Sequence, residues 1–110
     1  MEWKVIKSAG DLDDLISKSN ADPQLIFKHS TRCSISSMAM NRLQSGLEVN
    51  DVHIIDVIGD RGLSNEIAEK FDVFHQSPQV LLIFDQKCVF DASHLNISPS
   101  SINREIKSIE

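Results

Sequence analysis

The segment HSTRCSIS, residues 29–36, carries the residue best suited to covalent chemistry, the thiol of Cys33. A cysteine attacks as its thiolate, and nearby cations or a helix N-terminus stabilise that form. Arg32 is adjacent in sequence, and Lys28 and His29 are close enough to add positive potential. The segment therefore predicts a reactive thiol that performs thiol–disulfide exchange.

The residue three positions after Cys33 is Ser36, and it decides which kind of exchange is possible. A Cys-x-x-Cys pair resolves its own mixed disulfide by intramolecular attack, whereas a hydroxyl cannot. The hydroxyl groups of Ser34, Ser36 and Ser37 are candidates to hydrogen-bond the sulfur instead. We therefore expect monothiol chemistry at this position.

The second cysteine, Cys88, is ten positions after Pro78 and just past a predicted hairpin turn. At roughly 3.3 Å per strand residue, the turn lies about 20 Å from the proline end of the strand. A disulfide needs Cα atoms within about 7 Å of each other. Cys88 is therefore predicted to be a strand residue, and a mixed disulfide on Cys33 must be resolved by an outside thiol.

The elements that position Cys33 follow from the spacing of apolar residues. Short apolar runs predict five strands, at 3–6, 24–30, 51–58 and in a hairpin within 77–92 that turns at 85–87. Helical spacing predicts four helices: one capped by Asp11, one from the Cys33 segment to Gly46, one within 60–71 and one over 100–109. In the second helix, a helical spacing is kept by Ile35, Met38, Ala39, Arg42 and Leu43.

The predicted order of elements is β-α-β-α-β-α-β-β-α, which indicates an α/β fold. Alternating units favour parallel pairing of the first three strands, with right-handed crossovers, and the terminal hairpin adds antiparallel strands. A mixed central sheet with helices on both faces is the thioredoxin-like architecture. Because no repeat or linker interrupts the pattern, we expect one domain over residues 1–110.

A second informative stretch is HQSPQV, residues 75–80. Pro78 begins a predicted strand, where a missing amide donor is tolerated, and such a proline can be cis. In a thioredoxin-like fold it faces the cysteine, so the backbone of Ser77 could pair with an incoming peptide as an added strand would. His75 either lines this groove or is an ordinary surface-loop histidine.

At these residues the sequence resembles the YtxJ family of monothiol bacilliredoxins. KHSTRCSIS, residues 28–36, is similar to the family segment K-H-S-x-T-C-P-I-S. The resemblance continues through RGLSNEIAEKFDVFHQSPQVLLIF, similar to D-L-S…I-A…H-x-S-P-Q, and ends in ASHLNIS, similar to H-x-x-I. Two positions differ, since Ser34 stands where the family usually has proline and Arg32 where threonine is usual.

The resemblance implies a thioredoxin fold that acts in the bacillithiol system, removing bacillithiol from cysteines of oxidised proteins. Cys33 would be the attacking thiol, Ser36 would occupy the place of a second cysteine, and Pro78 would be the cis-proline of the substrate groove. Partners would be bacillithiolated clients and a low-molecular-weight thiol, with bacillithiol as co-substrate and no bound cofactor. Lys28, His29 and Arg32 would either meet bacillithiol carboxylates or form a solvated basic rim.

Three other functions stay open at this stage. A glutaredoxin-like monothiol protein would use glutathione or bridge an iron–sulfur cluster, although such proteins usually carry glycine where this chain has Ser34. A peroxidase is suggested only by Ser30, three residues before Cys33, and the chain is short for that class. In a thioredoxin-fold adaptor, Cys33 would be incidental and would react at the rate of a free peptide thiol. Independently of these functions, Cys33 could instead be a small buried apolar residue.

Composition restricts the partners and the compartment. The chain has 110 residues and a net charge of −5 with no basic run, so nucleic-acid binding is not expected. No signal-like start and no apolar run of about 18 residues is evident, which predicts a cytoplasmic protein with reduced thiols. The four histidines form no short metal-ligand pair, so no metal site is expected.

Overall fold

A five-stranded mixed sheet runs through the centre of the computed structural model, which describes residues 1–109. The strands are β1 (Glu2–Val5), β2 (Gln24–His29), β3 (Asp51–Asp56), β4 (Gln79–Phe84) and β5 (Lys87–Ser93). The α-helices are α1 (Ala9–Lys18), α2 (Ser34–Gly46), α3 (Arg61–Phe71) and α4 (Pro99–Ile109), with a 3-10 turn at His94–Asn96.

The strand order in the sheet is β1-β3-β2-β4-β5. The first three strands are parallel, β4 is antiparallel to β2, and β5 is antiparallel to β4. This arrangement confirms the predicted mixed sheet and the predicted central place of the second strand. Because β4 runs opposite to β2, the start of β4 lies beside the end of β2, next to the turn that carries Cys33.

The helices cover both faces of the sheet and enclose two apolar clusters. On one face α1 and α3 pack on side chains of the central strands, a cluster that includes Leu12, Leu15, Ile26, Ile55, Ile67 and Leu81. On the other face α2 and α4 do the same, with Leu25, Phe27, Ala39, Leu43, Val80 and Ile102. The two layers therefore hold the central strands β2 and β4 from both sides.

Strand β2 is apolar at successive positions because both of its faces are covered. Ile26 joins the cluster under α1 and α3, and Phe27 joins the cluster under α2 and α4. The same alternation continues into its last two residues, since Lys28 contacts α3 and His29 contacts α2. Adjacent residues at the end of β2 thus make contacts on opposite faces of the sheet, next to the turn that carries Cys33.

One local prediction was wrong, and the inward side of α2 differs from its apolar spacing. The cap of α1 is Ser8, whose hydroxyl accepts from the Asp11 amide at 3.2 Å, while the Asp11 carboxylate accepts from the Lys7 amide at 2.8 Å. Asp11 therefore lies in the first turn and makes the return bond of a reciprocal cap. In α2, Met38 and Arg42 are exposed, and the inward side is formed by Ser36, Ala39 and Leu43 instead.

The hairpin between β4 and β5 turns through two residues, Asp85 and Gln86, both in the left-handed region with φ of 53° and 65°. This geometry matches the twist of the flanking strands. The turn lies at the far end of β4 from Pro78. Over residues 1–109, the helices are all too short or too polar to cross a lipid bilayer.

Candidate active site

Cys33 is the N-cap residue of α2 and is partly exposed. Its backbone is extended, with φ of −115° and ψ of 120°, and its carbonyl accepts the first helical hydrogen bond from the Ser37 amide at 3.1 Å. Its side chain makes no capping hydrogen bond. The amides of the first turn of α2 are therefore free to face a charge at this end of the helix, where the dipole is positive.

Ser36 is completely buried, and its hydroxyl ties the cysteine turn together. Its Oγ accepts from the Ser30 amide at 3.0 Å and lies 2.6 Å from Nδ1 of His29. Both contacts belong to the segment that leads from β2 to Cys33. The expected hydrogen bond from the Ser36 hydroxyl to the Cys33 sulfur is not formed, because this hydroxyl contacts His29 and the Ser30 amide instead.

His29 stacks on Phe27, with ring centroids 5.5 Å apart, and its other side contacts Ser36. Burial lowers the pKa of His29 below its ordinary value of 6.5, and the nearby Asp56 carboxylate only partly opposes this. The imidazole is therefore neutral at pH 7. This direction runs against the expectation that His29 adds positive charge beside Cys33.

Arg32 remains as the cation next to Cys33. Its side chain is exposed, as are those of Thr31 and Ser34. It forms no ion pair with any residue from 1 to 109. Arg32 is thus available to an incoming anionic group. Its exposed side chain agrees with the solvated basic rim that the sequence predicted.

Lys28 does not lie on a solvated rim, and that prediction was wrong. Its side chain is fully buried on the side of the sheet that carries α3. The ammonium Nζ lies 3.0 Å from the carbonyl oxygen of Ser64 and 3.0 Å from Nδ1 of His75. Burial lowers the pKa of Lys28 to about 8. A lysine in this position cannot reach a ligand carboxylate on the open side of Cys33.

The segment before β4 forms the other wall of the candidate site. The Ser77–Pro78 peptide bond is cis, Pro78 is buried, and its carbonyl accepts from the His94 amide at 3.0 Å. The hydroxyl of Ser77 is buried and has no hydrogen-bond partner within residues 1–109. His75 is partly buried and is held by Lys28, so it is not a loosely placed surface histidine.

Cys88 lies in β5 opposite Ile83, near the hairpin end of the sheet. Both cysteines are free thiols, and the Cys88 sulfur contacts the Phe90 carbonyl at 3.3 Å. Burial and the nearby Asp91 carboxylate raise the pKa of Cys88 to about 11. The prediction that Cys88 is a strand residue is confirmed, and its thiol is protonated at neutral pH.

Gln79 belongs to the HQSPQV motif but was given no role from sequence. It is 1% exposed and pairs directly with Lys28 across β2 and β4. Its amide group donates to the Phe74 carbonyl at 3.0 Å and accepts from the Gln76 amide at 3.3 Å. The signal that could have identified it is a glutamine at the start of an otherwise apolar, buried strand.

The profile of the family described as monothiol bacilliredoxin BrxC matches residues 4–102. The chain belongs to the monothiol bacilliredoxin family. Among solved structures, a candidate oxidoreductase with a thioredoxin fold is 27% identical, with a TM-score of 0.85 over 93% of this chain and 91% of that one. This bacilliredoxin is therefore a thiol–disulfide oxidoreductase, as predicted.

More distant structures agree on the fold. A thioredoxin variant from Halobacterium salinarum is 20% identical, with a TM-score of 0.72 over 97% of this chain and 89% of that one. Mitochondrial thioredoxin 3 from Saccharomyces cerevisiae is 19% identical, with a TM-score of 0.69 over 96% and 93%. The prediction of a thioredoxin-like α/β fold is confirmed.

Proposed function

We propose that this bacilliredoxin removes bacillithiol from mixed disulfides on client proteins, with Cys33 as the attacking thiol. The observation that carries the proposal is the position of Cys33, partly exposed at the N-terminus of α2. A resolving sulfur at the usual spacing is replaced by Ser36, and Cys88 lies toward the other end of the sheet. Resolution by a second small thiol fits this arrangement.

In the first step, the Cys33 thiolate attacks the bacillithiol sulfur of the mixed disulfide. The client's S–S bond breaks, a new S–S bond joins Cys33 to bacillithiol, and the client cysteine leaves as a thiolate that takes a proton from water. In the second step, the thiolate of another bacillithiol attacks the bound bacillithiol sulfur. Bacillithiol disulfide leaves, and Cys33 is released as its thiolate.

The chain's own groups would assist these steps in different ways. The free amides and the positive dipole end of α2 stabilise the Cys33 sulfur as it carries or regains negative charge. Arg32, exposed and without an ion pair inside residues 1–109, is the cation best placed to meet a bacillithiol carboxylate. The backbone at Ser77, just before the cis bond to Pro78, would pair with the client chain.

The proposed setting is a reducing compartment such as the cytoplasm. The proposed attack needs Cys33 as a thiol, and a reducing compartment keeps cysteines in that state. Bacillithiolated proteins would be the clients, and no resident cofactor is invoked.

The test is intact mass spectrometry after incubation with a bacillithiol-modified client protein. We expect the adduct to move to the wild-type chain and to Cys88→Ala, and not to Cys33→Ala. Cys88→Ala is the matched control, because it removes the other thiol of the chain. Rapid turnover of glutathione adducts without transfer of bacillithiol would instead identify a glutaredoxin-like activity and refute the proposal.

A further inference from the structure

Two buried polar side chains lie beneath the loop 74–78 that leads into the cis bond at Pro78. They are Lys28 on β2 and Gln79 on β4, exposed to 0% and 1%. The two residues are direct partners in the antiparallel register, so their side chains leave the sheet on the same face. We call this pair the loop clamp.

Each member of the loop clamp makes two contacts. The Lys28 ammonium lies 3.0 Å from the Ser64 carbonyl on α3 and 3.0 Å from Nδ1 of His75 in the loop. The Gln79 amide donates to the Phe74 carbonyl at 3.0 Å and accepts from the Gln76 amide at 3.3 Å. The loop is therefore held at three successive residues, 74 to 76, immediately before Ser77.

The protonation states follow from the chemistry of the contacts. An ammonium has only donors, so His75 accepts at Nδ1 and carries its proton on Nε2. The pKa of His75 is lowered by burial and by the charges of Lys28 and of Arg61 on α3, which keeps the ring neutral at pH 7. Ser64, whose hydroxyl is 3.4 Å from the same nitrogen, adds no charge.

Stability alone does not account for a buried ammonium here. Taking a charge out of water carries a penalty that its contacts repay only when the geometry is excellent, and apolar replacements of buried charged pairs are often neutral or stabilising. What the ammonium does supply is a rigid link between β2, which ends beside Cys33, and the loop that ends at Pro78. Strand β2 thus carries both the cysteine turn and one anchor of the opposite wall.

We propose that Lys28 is a positioning residue that holds the loop before Pro78 at the correct distance from Cys33 for exchange with a protein client. The proposal rests on the function assigned to Cys33 and Pro78 above. Lys28 does not touch the client. It acts through His75, so its loss should impair reactions that need the groove and spare those that need only the sulfur.

The test uses Lys28→Met, which keeps an unbranched side chain, one heavy atom shorter, and removes the ammonium donors. We expect the rate of exchange with a bacillithiol-modified client to fall by about tenfold to a hundredfold, because small misplacements of a binding wall have effects of that order. Alkylation of Cys33 by iodoacetamide, which does not use the groove, should stay within about twofold of wild type. Lys4→Met, at an exposed lysine of β1, is the matched control and should leave both rates unchanged.

Histidine NMR of the same variants reports the contact without any client. In the wild type, His75 should show the Nε2-protonated tautomer, and in Lys28→Met its pKa should rise because the neighbouring charge is gone. A wild-type protein that shows this signature but exchanges with no client would refute the proposed function and leave the loop clamp standing. Absence of the signature in the folded wild type would refute the clamp.

The kinetic outcomes are equally decisive. Exchange at the wild-type rate in Lys28→Met, or an equal loss of exchange and alkylation in a folded variant, would overturn the positioning role. Should Lys28→Met fail to fold, His75→Ala removes the acceptor from a partly exposed loop and is expected to show the same selective loss of exchange. A His75→Ala protein that exchanges at the wild-type rate would overturn the proposal.

Discussion

Replacing Ser36 with alanine should loosen the turn that presents Cys33. The Ser36 hydroxyl accepts from the Ser30 amide at 3.0 Å and contacts Nδ1 of His29 at 2.6 Å, and the side chain is fully buried. Alanine keeps the helix and the approximate shape but leaves both partners without their hydrogen bond. The perturbation is therefore confined to the segment between β2 and α2.

The expected loss in the free energy of unfolding follows from the buried groups that Ser36→Ala leaves without a hydrogen bond. An unsatisfied buried donor costs about 1–3 kcal/mol, so we expect the free energy of unfolding to fall by about 2 kcal/mol. For a chain of this size, 1 kcal/mol corresponds to about 4 °C in the unfolding midpoint, and the expected decrease is about 8 °C. The rate of Cys33 alkylation should also change, because the turn that orients the sulfur is less well fixed.

Thermal and urea unfolding, together with iodoacetamide labelling, measure these effects. Ser37→Ala is the matched control, since Ser37 is the next residue, is exposed, and makes only a 3.4 Å contact to the Cys33 carbonyl. We expect the control to stay within about 0.5 kcal/mol of wild type. If Ser36→Ala unfolds at the same midpoint as Ser37→Ala, the Ser36 hydroxyl does not stabilise the turn and the reasoning fails.

The same geometry leads to three further predictions. Ser36→Cys should create an internal resolving thiol, so that oxidation yields a disulfide between Cys33 and the introduced thiol, seen as the loss of two hydrogens by mass spectrometry; no such species after mild oxidation would count against it. Cys88→Val should leave client exchange unchanged, because the Cys88 thiol is protonated with a pKa of about 11 and lies in β5; a loss of exchange in a folded variant would show that Cys88 takes part. Between pH 7 and pH 9 the wild-type free energy of unfolding should rise by about 1 kcal/mol relative to Lys28→Met. The reason is that the folded pKa of Lys28 is about 8 against 10.5 in the unfolded chain, so the unfolded state binds more protons in this window. Equal pH profiles in urea unfolding would contradict this.

Much of the fold was predictable because strands and helices bury residues with different periods. The apolar run at Leu25–Phe27 indicated a strand covered on both faces, and the alternation of elements indicated parallel pairing. The inward side of α2 does not follow from the spacing alone. Met38 and Arg42 have the correct spacing but face solvent, while the buried position is taken by Ser36, whose polarity hid it from an apolar pattern.

The site was predictable where it depends on local order and not where it depends on register. The place of Cys33 follows from a strand that ends and a helix that begins. Lysine is almost never fully buried, so nothing in KHS indicated that Lys28 points inward. Its environment comes from Gln79 in the neighbouring strand and from Ser64, which is 36 positions away. Those contacts exist only once β4 has paired with β2 and α3 has packed against the sheet.

Lys28 and His29 are neighbours in the chain, yet the sheet separates their side chains. Lys28 contacts His75 in the loop that ends at Pro78, and His29 contacts Ser36 in the turn that presents Cys33. Their side-chain partners are not shared, but the backbone of β2 joins them directly. A double-mutant comparison of Lys28 and His29 therefore measures how strongly the wall that would meet the client is coupled, through one strand, to the turn that holds the sulfur.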